Sequence, residues 1–190
     1  MKKGLEKFYD LVEAFESLPT IGKKSALRLA YHIVMTDSYS GIKIAHSIEN
    51  ALRNIKKCVN CGSMSEHEIC EVCLDDSRNK TKACIVHSAK DIFIIEESKQ
   101  FDGLYFVIEE LEHESIDKML NFVKENSVKD ILFAITPSLS NDAFILFIED
   151  KLKDFNINFT KIAQGVPTGV SLENVDILSL AKAIESKVNI

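Results

Sequence analysis

The stretch CVNCGSMSEHEICEVC, residues 58–73, contains four of the five cysteines of this chain, arranged as two Cys-x-x-Cys pairs. Each pair can aim two thiolates at one point, and two pairs supply the four sulfurs of a tetrahedral zinc site. Because four protein ligands leave no open position for water, the metal is expected to be structural rather than catalytic. The pattern therefore predicts one structural zinc per chain, held by Cys58, Cys61, Cys70 and Cys73.

The alternatives are a disulfide pair or a redox Cys-x-x-Cys, and the N-terminal sequence argues against disulfides. MKKGLEKFYDLVEAFESL is amphipathic and charged and lacks the apolar segment of a secretory signal, which indicates a reducing, cytoplasmic location. No apolar run is long enough to span a bilayer, so no membrane association is expected. His67 could replace a cysteine ligand, although a solvated loop histidine is the simpler interpretation. The fifth cysteine, Cys84, lies in the apolar run ACIV and is predicted to be buried.

The charge of the chain is unevenly distributed. The formal net charge is −6, but residues 1–57 carry ten basic and six acidic side chains, while residues 58–190 carry 13 and 23. The first part is therefore net +4 and the second net −10. This asymmetry indicates a basic N-terminal module that could bind nucleic acid.

The basic module has the periodicity of three helices. One apolar set, Leu5, Phe8, Tyr9, Val12 and Phe15, falls at helical spacing before the break LPTIG. A second helix follows in KKSALRLAYHIV, and a third is predicted from roughly Ser40 to Lys57. Three short helices bury little apolar surface by themselves, so the module is expected to need a metal or a partner.

The segment LPTIGKKSALRL resembles the helix-hairpin-helix motif of DNA binders that lack sequence specificity. In that motif a tight hairpin exposes backbone N–H groups at a helix N-terminus, where they bind a DNA phosphate. Lys23, Lys24 and Arg28 would add positive charge. Thr20 stands where the motif usually has glycine, which puts in doubt a backbone position that needs positive φ or close phosphate approach. The alternative is an ordinary helical hairpin with a solvated basic face.

The rest of the chain alternates apolar runs with helical patterns. Strands are predicted at TKACIVH, GLYFVIEE, DILFAITP and INFTKIAQG, with helices at SIDKMLNFVKEN and NDAFILFIEDKLKDF. Such alternation is typical of a parallel sheet covered by helices on both faces, which predicts an α/β fold. The zinc is expected to stabilise the junction that leads into this domain.

The order of these parts resembles the RecR family of bacterial recombination mediators, nearly end to end. The most specific segments are LPTIGKKSALRLAYHI, the cysteine stretch with CLDDSRN after it, IVHSAKD and GVPTGVSLENVD. The resemblance implies a helix-hairpin-helix module at 1–55, a zinc knuckle at 56–78, a Toprim-like α/β domain at 79–168 and a C-terminal segment and helix at 169–190. It also implies a ring-forming homo-tetramer that binds single- and double-stranded DNA and helps RecO or RecF load recombinase.

The positions that carry metal ligands in a working Toprim centre are altered here. Phosphoryl transfer needs clustered carboxylates for Mg²⁺, a glutamate after the first strand and an Asp-x-Asp pair after the third. The first position is His87, and TPSLSND offers only Asp142 at the second. Asp91 is expected to accept a hydrogen bond from His87 or to cap the next helix. Glu109 and Glu110 lie in an acidic run that reads as a solvated face.

These departures favour a protein without catalytic activity. The chain also lacks a phosphate-binding loop, and Glu173 and Asp176, in a segment likened to a Walker B element, are expected to cap a helix or bind a partner chain. The hypothesis is a non-enzymatic, DNA-binding recombination mediator. The alternatives are a divergent Toprim nuclease or phosphoryl transferase that uses Asp142 with Glu109 or Glu110, and a zinc-ribbon adaptor that binds only proteins.

Overall fold

The computed structural model describes residues 4–163 and 165–186, and the chain divides into two compact units, Met1–Ile55 and Lys56–Ile190. The predicted strand segment INFTKIAQG includes Gln164, and the predicted C-terminal segment includes 187–190; those residues lie outside the described ones. Across the described residues, no helix is both long and apolar enough to cross a membrane.

The first unit consists of three helices, as the periodicity predicts. They are α1 (Glu6–Glu16), α2 (Lys23–Tyr31) and α3 (Ser38–Asn54), with a π-helical turn at His32–Thr36. Its small core contains Val12, Ala26 and Ala30, with Phe8, Leu11, Phe15 and Ile21 packed against them.

The third helix begins and ends slightly earlier than its apolar pattern indicates. Asp37 caps its N-terminus by accepting a hydrogen bond from the Ser40 backbone N–H at 3.0 Å. The helix ends at Asn54 because Ile55 is extended, and the chain then enters β1 (Lys56–Lys57). The predicted end at Lys57 is therefore wrong by three residues, since Lys56 and Lys57 pair with β2 (Met64–Ser65) instead.

The second unit contains the cysteine stretch and a four-stranded sheet. After β2 a short helix, α4 (Glu71–Leu74), leads into β3 (Asn79–Val86), β4 (Gly103–Val107), β5 (Asp130–Phe133) and β6 (Asn158–Lys161). The strand order is β4-β3-β5-β6 and every neighbouring pair is parallel. The predicted parallel α/β class is confirmed.

Helices cover both faces of this sheet. On one face pack α6 (His113–Glu125) and α7 (Leu139–Leu152), whose buried residues join one core cluster with Ile85, Phe106 and Phe133. On the other face lies α5 (Ala89–Ser98), through Ile92. Periodicity did not predict α5, because its apolar residues run consecutively and fit a strand as well as a helix. The last helix, α8 (Ile177–Glu185), follows a 3₁₀ turn.

Candidate zinc centre and nucleic-acid interface

The four cysteine sulfurs predicted to hold zinc lie together. The four Sγ atoms are all within 4.8 Å of one another. Cys58 Sγ lies 4.0 Å from Cys73 Sγ, and Cys61 Sγ lies 3.5 Å from Cys70 Sγ. Zn–S bonds of about 2.3 Å place the sulfurs of a tetrahedral site about 3.8 Å apart, so this donor set fits zinc.

Backbone N–H groups surround the sulfurs. Cys70 N–H donates to Cys58 Sγ at 3.3 Å, and Ser63 N–H donates to Cys61 Sγ at 3.5 Å. The hydrogen bond between Cys61 and Cys70 raises the pKa of the Cys61 thiol and lowers that of Cys70. Thiolates in the same cluster repel one another, so a divalent cation is needed to stabilise four of them together. His67 is exposed and does not belong to the cluster.

The knuckle is attached to the edge strand of the sheet. Val107, the last residue of β4, donates its backbone N–H to the Cys61 carbonyl at 2.8 Å. Gly62 packs beside it with a φ of +75°, and an added Cβ would lie 3.3 Å from Val107 Cβ. A side chain at residue 62 would be strained and crowded, so glycine allows this close approach.

A second attachment follows α4, in the segment CLDDSRN. The Arg78 guanidinium donates to the Gly103 carbonyl at 2.8 Å, contacts the Glu96 carboxylate and lies over the Tyr105 ring, 5.8 Å from its centroid. Tyr105 Oη donates to Glu96 Oε1 at 2.5 Å. Burial raises the pKa of the Tyr105 hydroxyl, so it stays a donor at neutral pH. Sequence reasoning did not assign Arg78 a role. The only feature that could have indicated one is its place in an acidic segment directly before an apolar strand.

In the first unit, the predicted basic residues Lys23 and Lys24 lie in the first turn of α2, and Arg28 lies in its last turn. Gly22 is the residue before this helix and offers no side chain to cap it, while Lys23, Lys24 and Arg28 are all exposed. The first N–H groups of a helix have no intrahelical acceptor and carry partial positive charge. The end of the hairpin therefore has the features of an anion site, with three cations on the helix that bears it.

Thr20, the departure from the hairpin motif, has a φ of +68°. The position therefore needs the left-handed conformation that glycine adopts freely and that a β-branched residue strongly disfavours. The sequence expectation that this position needs a positive φ is confirmed, and Thr20 adopts that conformation with backbone strain.

We expect Thr20→Gly to stabilise the first unit by roughly 0.5–1 kcal/mol. The left-handed conformation costs a non-glycine residue about 1–2 kcal/mol, and part of the relief is offset by the greater freedom of glycine in the unfolded chain. Urea unfolding measures the change. The control is Ser17→Gly, since Ser17 has a φ of −71° and donates from Oγ to the Ala14 carbonyl at 2.8 Å, so this variant should lose stability. If the free energy of unfolding of Thr20→Gly is equal to or lower than that of the wild type, Thr20 is not strained.

At the C-terminal edge of the sheet, His87 is held by two oxygen atoms. Its Nδ1 lies 2.9 Å from the Ile108 carbonyl and its Nε2 lies 3.2 Å from Asn141 Oδ1. Asn141 Nδ2 donates to the Thr136 carbonyl at 2.6 Å, which orients the amide with its oxygen toward His87. The ring also stands edge-on to Phe144, with centroids 4.6 Å apart. A glutamate at residue 87, as in a working Toprim centre, would place its negatively charged carboxylate against the Ile108 carbonyl oxygen and Asn141 Oδ1. These oxygens repel a carboxylate, so a glutamate would not fit here unless its neighbours rearranged.

The acidic residues considered for catalysis are not assembled around His87. Asp142 pairs with Lys161 at 3.3 Å, with roughly half of its side chain exposed, and Glu109 pairs with Lys57 at 2.6 Å. Asp91 is not the helix cap, which is Ser88, accepting from Lys90 N–H at 3.4 Å. The expected hydrogen bond from His87 to Asp91 is also wrong, because both ring nitrogens face other groups.

Asp176 caps α8, as expected, by accepting from the Ser179 backbone N–H at 2.9 Å. Glu173 lies in the 3₁₀ turn before it, Leu172–Asn174. Asn141 and Lys161 carry no sequence signal of a role, because they are 54 and 19 residues from the side chains that they contact.

Comparison with known proteins identifies matches to both units. The family model described as "RecR, helix-hairpin-helix" matches residues 8–52, and the RecR model of the four-cysteine zinc finger domain matches residues 55–75. A "Recombination protein RecR" from Campylobacter jejuni subsp. doylei is 53% identical over 190 residues, 100% of both chains. A protein of the same name from Nitratiruptor sp. is also 53% identical over 190 residues, 100% of both chains. Another, from Helicobacter pylori, is 45% identical over 187 residues, which are 98% of this chain and 97% of the relative. The cysteine cluster fits one structural zinc.

Proposed function

Because the chain belongs to the RecR family of recombination proteins, we propose that it acts in recombinational DNA repair as a non-enzymatic, DNA-binding mediator in the cytoplasm. The observation that carries this proposal is the N-terminus of α2, which lacks a side-chain cap and begins with two exposed cations, Lys23 and Lys24. A DNA phosphate supplies the negative charge and the acceptor oxygens that such a helix end binds.

The proposed DNA-binding residues are Lys23, Lys24 and Arg28. They are exposed on one helix and contact phosphates, which are the same in every sequence, so binding is non-specific and extends to single and double strands. Cys58, Cys61, Cys70 and Cys73 are the proposed zinc ligands. The zinc maintains the knuckle, and RecO or RecF is the proposed partner in loading recombinase.

The triple variant Lys23→Ala, Lys24→Ala, Arg28→Ala should weaken binding to unrelated DNA sequences by similar factors. Each lost phosphate contact should also flatten the slope of log affinity against log salt concentration by about 0.7–0.9. Fluorescence anisotropy with labelled single and double strands at several salt concentrations measures both effects.

A matched control replaces three exposed lysines of the other unit, Lys124, Lys129 and Lys153, by alanine. It removes the same charge and should leave the salt slope nearly unchanged. Unchanged affinity and salt slope in the first triple variant would mean that α2 does not bind DNA.

In the same assay with Mg²⁺ the DNA should stay uncut, whereas cleavage that Asp142→Ala abolishes would support the nuclease alternative.

The exposed face of α3 supports the proposal of a homo-tetramer. None of its residues is buried in the single chain, although the helix carries several large apolar side chains, namely Tyr39, Ile42, Ile44, Ile48 and Leu52. Ile44, Ile48 and Leu52 recur every four residues and so share one face, and an apolar face of this kind packs against another surface. For the tetramer that the family resemblance implies, light scattering should give four times the 21.4 kDa of one chain. A molar mass of one chain, measured with and without DNA, would contradict the proposed ring-forming tetramer.

A further inference from the structure

The four sulfurs of the cysteine cluster are not equally protected from solvent. Cys58, Cys61 and Cys70 are 3%, 1% and 5% exposed, whereas Cys73 is partly exposed. Cys73 lies within α4, one residue before its end, and its neighbour Val72 packs against the sheet cluster that contains Cys84 and Tyr105. Cys73 is therefore the most solvent-accessible of the four cysteines.

The route to Cys73 is a groove of about 320 Å³ lined by Val59, Asn60, Cys73, Asn121 and Asn126, among others. Lys118 and Glu125 also line it, and Lys118 is paired with Glu114 at 2.7 Å. The groove is wide enough for a molecule far larger than water, and its charges are of both signs. A small uncharged oxidant therefore enters without an electrostatic penalty.

We propose that Cys73 is an oxidation site at which a hydroperoxide opens the zinc centre, with Cys58 as the residue that resolves the oxidised sulfur into a disulfide. Cys58 Sγ lies 4.0 Å from Cys73 Sγ, so the two must approach by about 2 Å to form a disulfide bond. The inference rests on the zinc occupancy proposed above and does not depend on DNA binding.

The chemistry takes two steps and transfers two electrons from sulfur to the peroxide. The Cys73 thiolate attacks one peroxide oxygen, forming an S–O bond while the O–O bond breaks and hydroxide (or alkoxide) leaves. The Cys58 thiolate then attacks the Cys73 sulfur, forming the S–S bond while the S–O bond breaks and hydroxide leaves. Two of the four zinc ligands are consumed, and a thiol reductant with added zinc restores the site.

Loss of these two ligands would loosen both attachments of the knuckle to the sheet. Cys61, whose carbonyl accepts the Val107 N–H, would lose the metal that holds its turn. The segment after Cys73, which ends in Arg78, would lose its anchor at α4. The oxidation site is therefore placed to convert peroxide exposure into local unfolding of the knuckle.

The two cysteine pairs give a direct test of the role of exposure. Cys61 Sγ and Cys70 Sγ are closer, at 3.5 Å, but both residues are buried, whereas Cys58 and Cys73 are farther apart and one of them is reachable. Proximity alone favours a Cys61–Cys70 disulfide. Access through the groove favours a Cys58–Cys73 disulfide.

The experiment treats the zinc-loaded full chain with hydrogen peroxide, follows zinc release with a chromogenic chelator and maps disulfides by mass spectrometry of peptides. The expected result is one zinc released as two thiols disappear, with Cys58–Cys73 as the first disulfide. A first disulfide between Cys61 and Cys70, first oxidation at Cys84, or zinc retained after the thiols are oxidised would each overturn the proposal. Protein that contains no zinc before treatment would instead refute the zinc site itself.

A ligand-preserving variant separates reactivity from metal binding. Cys73→His replaces the reachable thiolate with an imidazole ligand that zinc accepts, so peroxide-driven zinc release should slow at least tenfold. Cys84→Ala, which changes a buried cysteine outside the cluster, should release zinc at the wild-type rate. Wild-type release from a zinc-loaded Cys73→His variant would overturn the proposal, and if this variant takes up no zinc, the disulfide map of the wild-type chain decides.

Discussion

Replacement of Cys70 by serine should reduce the zinc content from one ion per chain to nearly none and unfold the knuckle. Cys70 is a proposed sulfur ligand, and its Sγ lies 3.5 Å from Cys61 Sγ inside the cysteine cluster. Structural zinc binds small zinc-finger peptides with about 10–16 kcal/mol at neutral pH, and that binding free energy is folding free energy. The knuckle has two short strands and a four-residue helix, too few apolar side chains to fold without it.

Metal analysis and thermal unfolding of the freshly purified chain measure this effect. Cys84→Ala is the control, because Cys84 is also buried but lies in the sheet core, so this variant should keep one zinc. A chelator added to the wild-type chain should reproduce the Cys70→Ser result without any substitution. A Cys70→Ser variant with full metal and full stability would contradict the proposed ligand set.

Arg78→Met should destabilise the second unit by about 2–3 kcal/mol. The substitution keeps most of the side-chain stem and removes the groups that bond to Glu96 and to the Gly103 carbonyl. The Arg78 side chain is only 14% exposed and that of Glu96 33% exposed. Breaking a fully buried pair costs about 3–5 kcal/mol, and the partial exposure of Glu96 reduces that penalty.

Lys80→Met is the matched control, because Lys80 makes a similar ion pair with Asp76 at 2.7 Å but in solvent. An exposed pair of this kind contributes about 0–1 kcal/mol, so the control should unfold almost as the wild type does. Urea unfolding compares the two variants. Equal losses of stability in both would mean that the Arg78 contacts add nothing beyond a surface pair.

The features that rest on short spacing could be predicted from the residues without a structure. Four cysteines at two short intervals specify a tetrahedral sulfur site, since a turn brings residues three apart together without help from the rest of the chain. The helical hairpin and the four strands followed from periodicity and apolar runs for the same reason. Thr20 was also identified, because glycine at a motif position indicates a backbone conformation that other residues resist.

Contacts between distant residues depend on the folded arrangement of the sheet. The strand order β4-β3-β5-β6 sets which chain segments become neighbours, and no local pattern specifies it. In the folded chain Asn141 contacts His87 across 54 residues, Lys161 contacts Asp142, and Arg78 contacts Glu96. The same cause explains the error over Asp91, which is close to His87 along the chain although the ring turns toward groups from other strands and helices. Long-range contacts are selected by the packing of the whole core, and the exposure of Cys73 beside three buried cysteines is set in the same way.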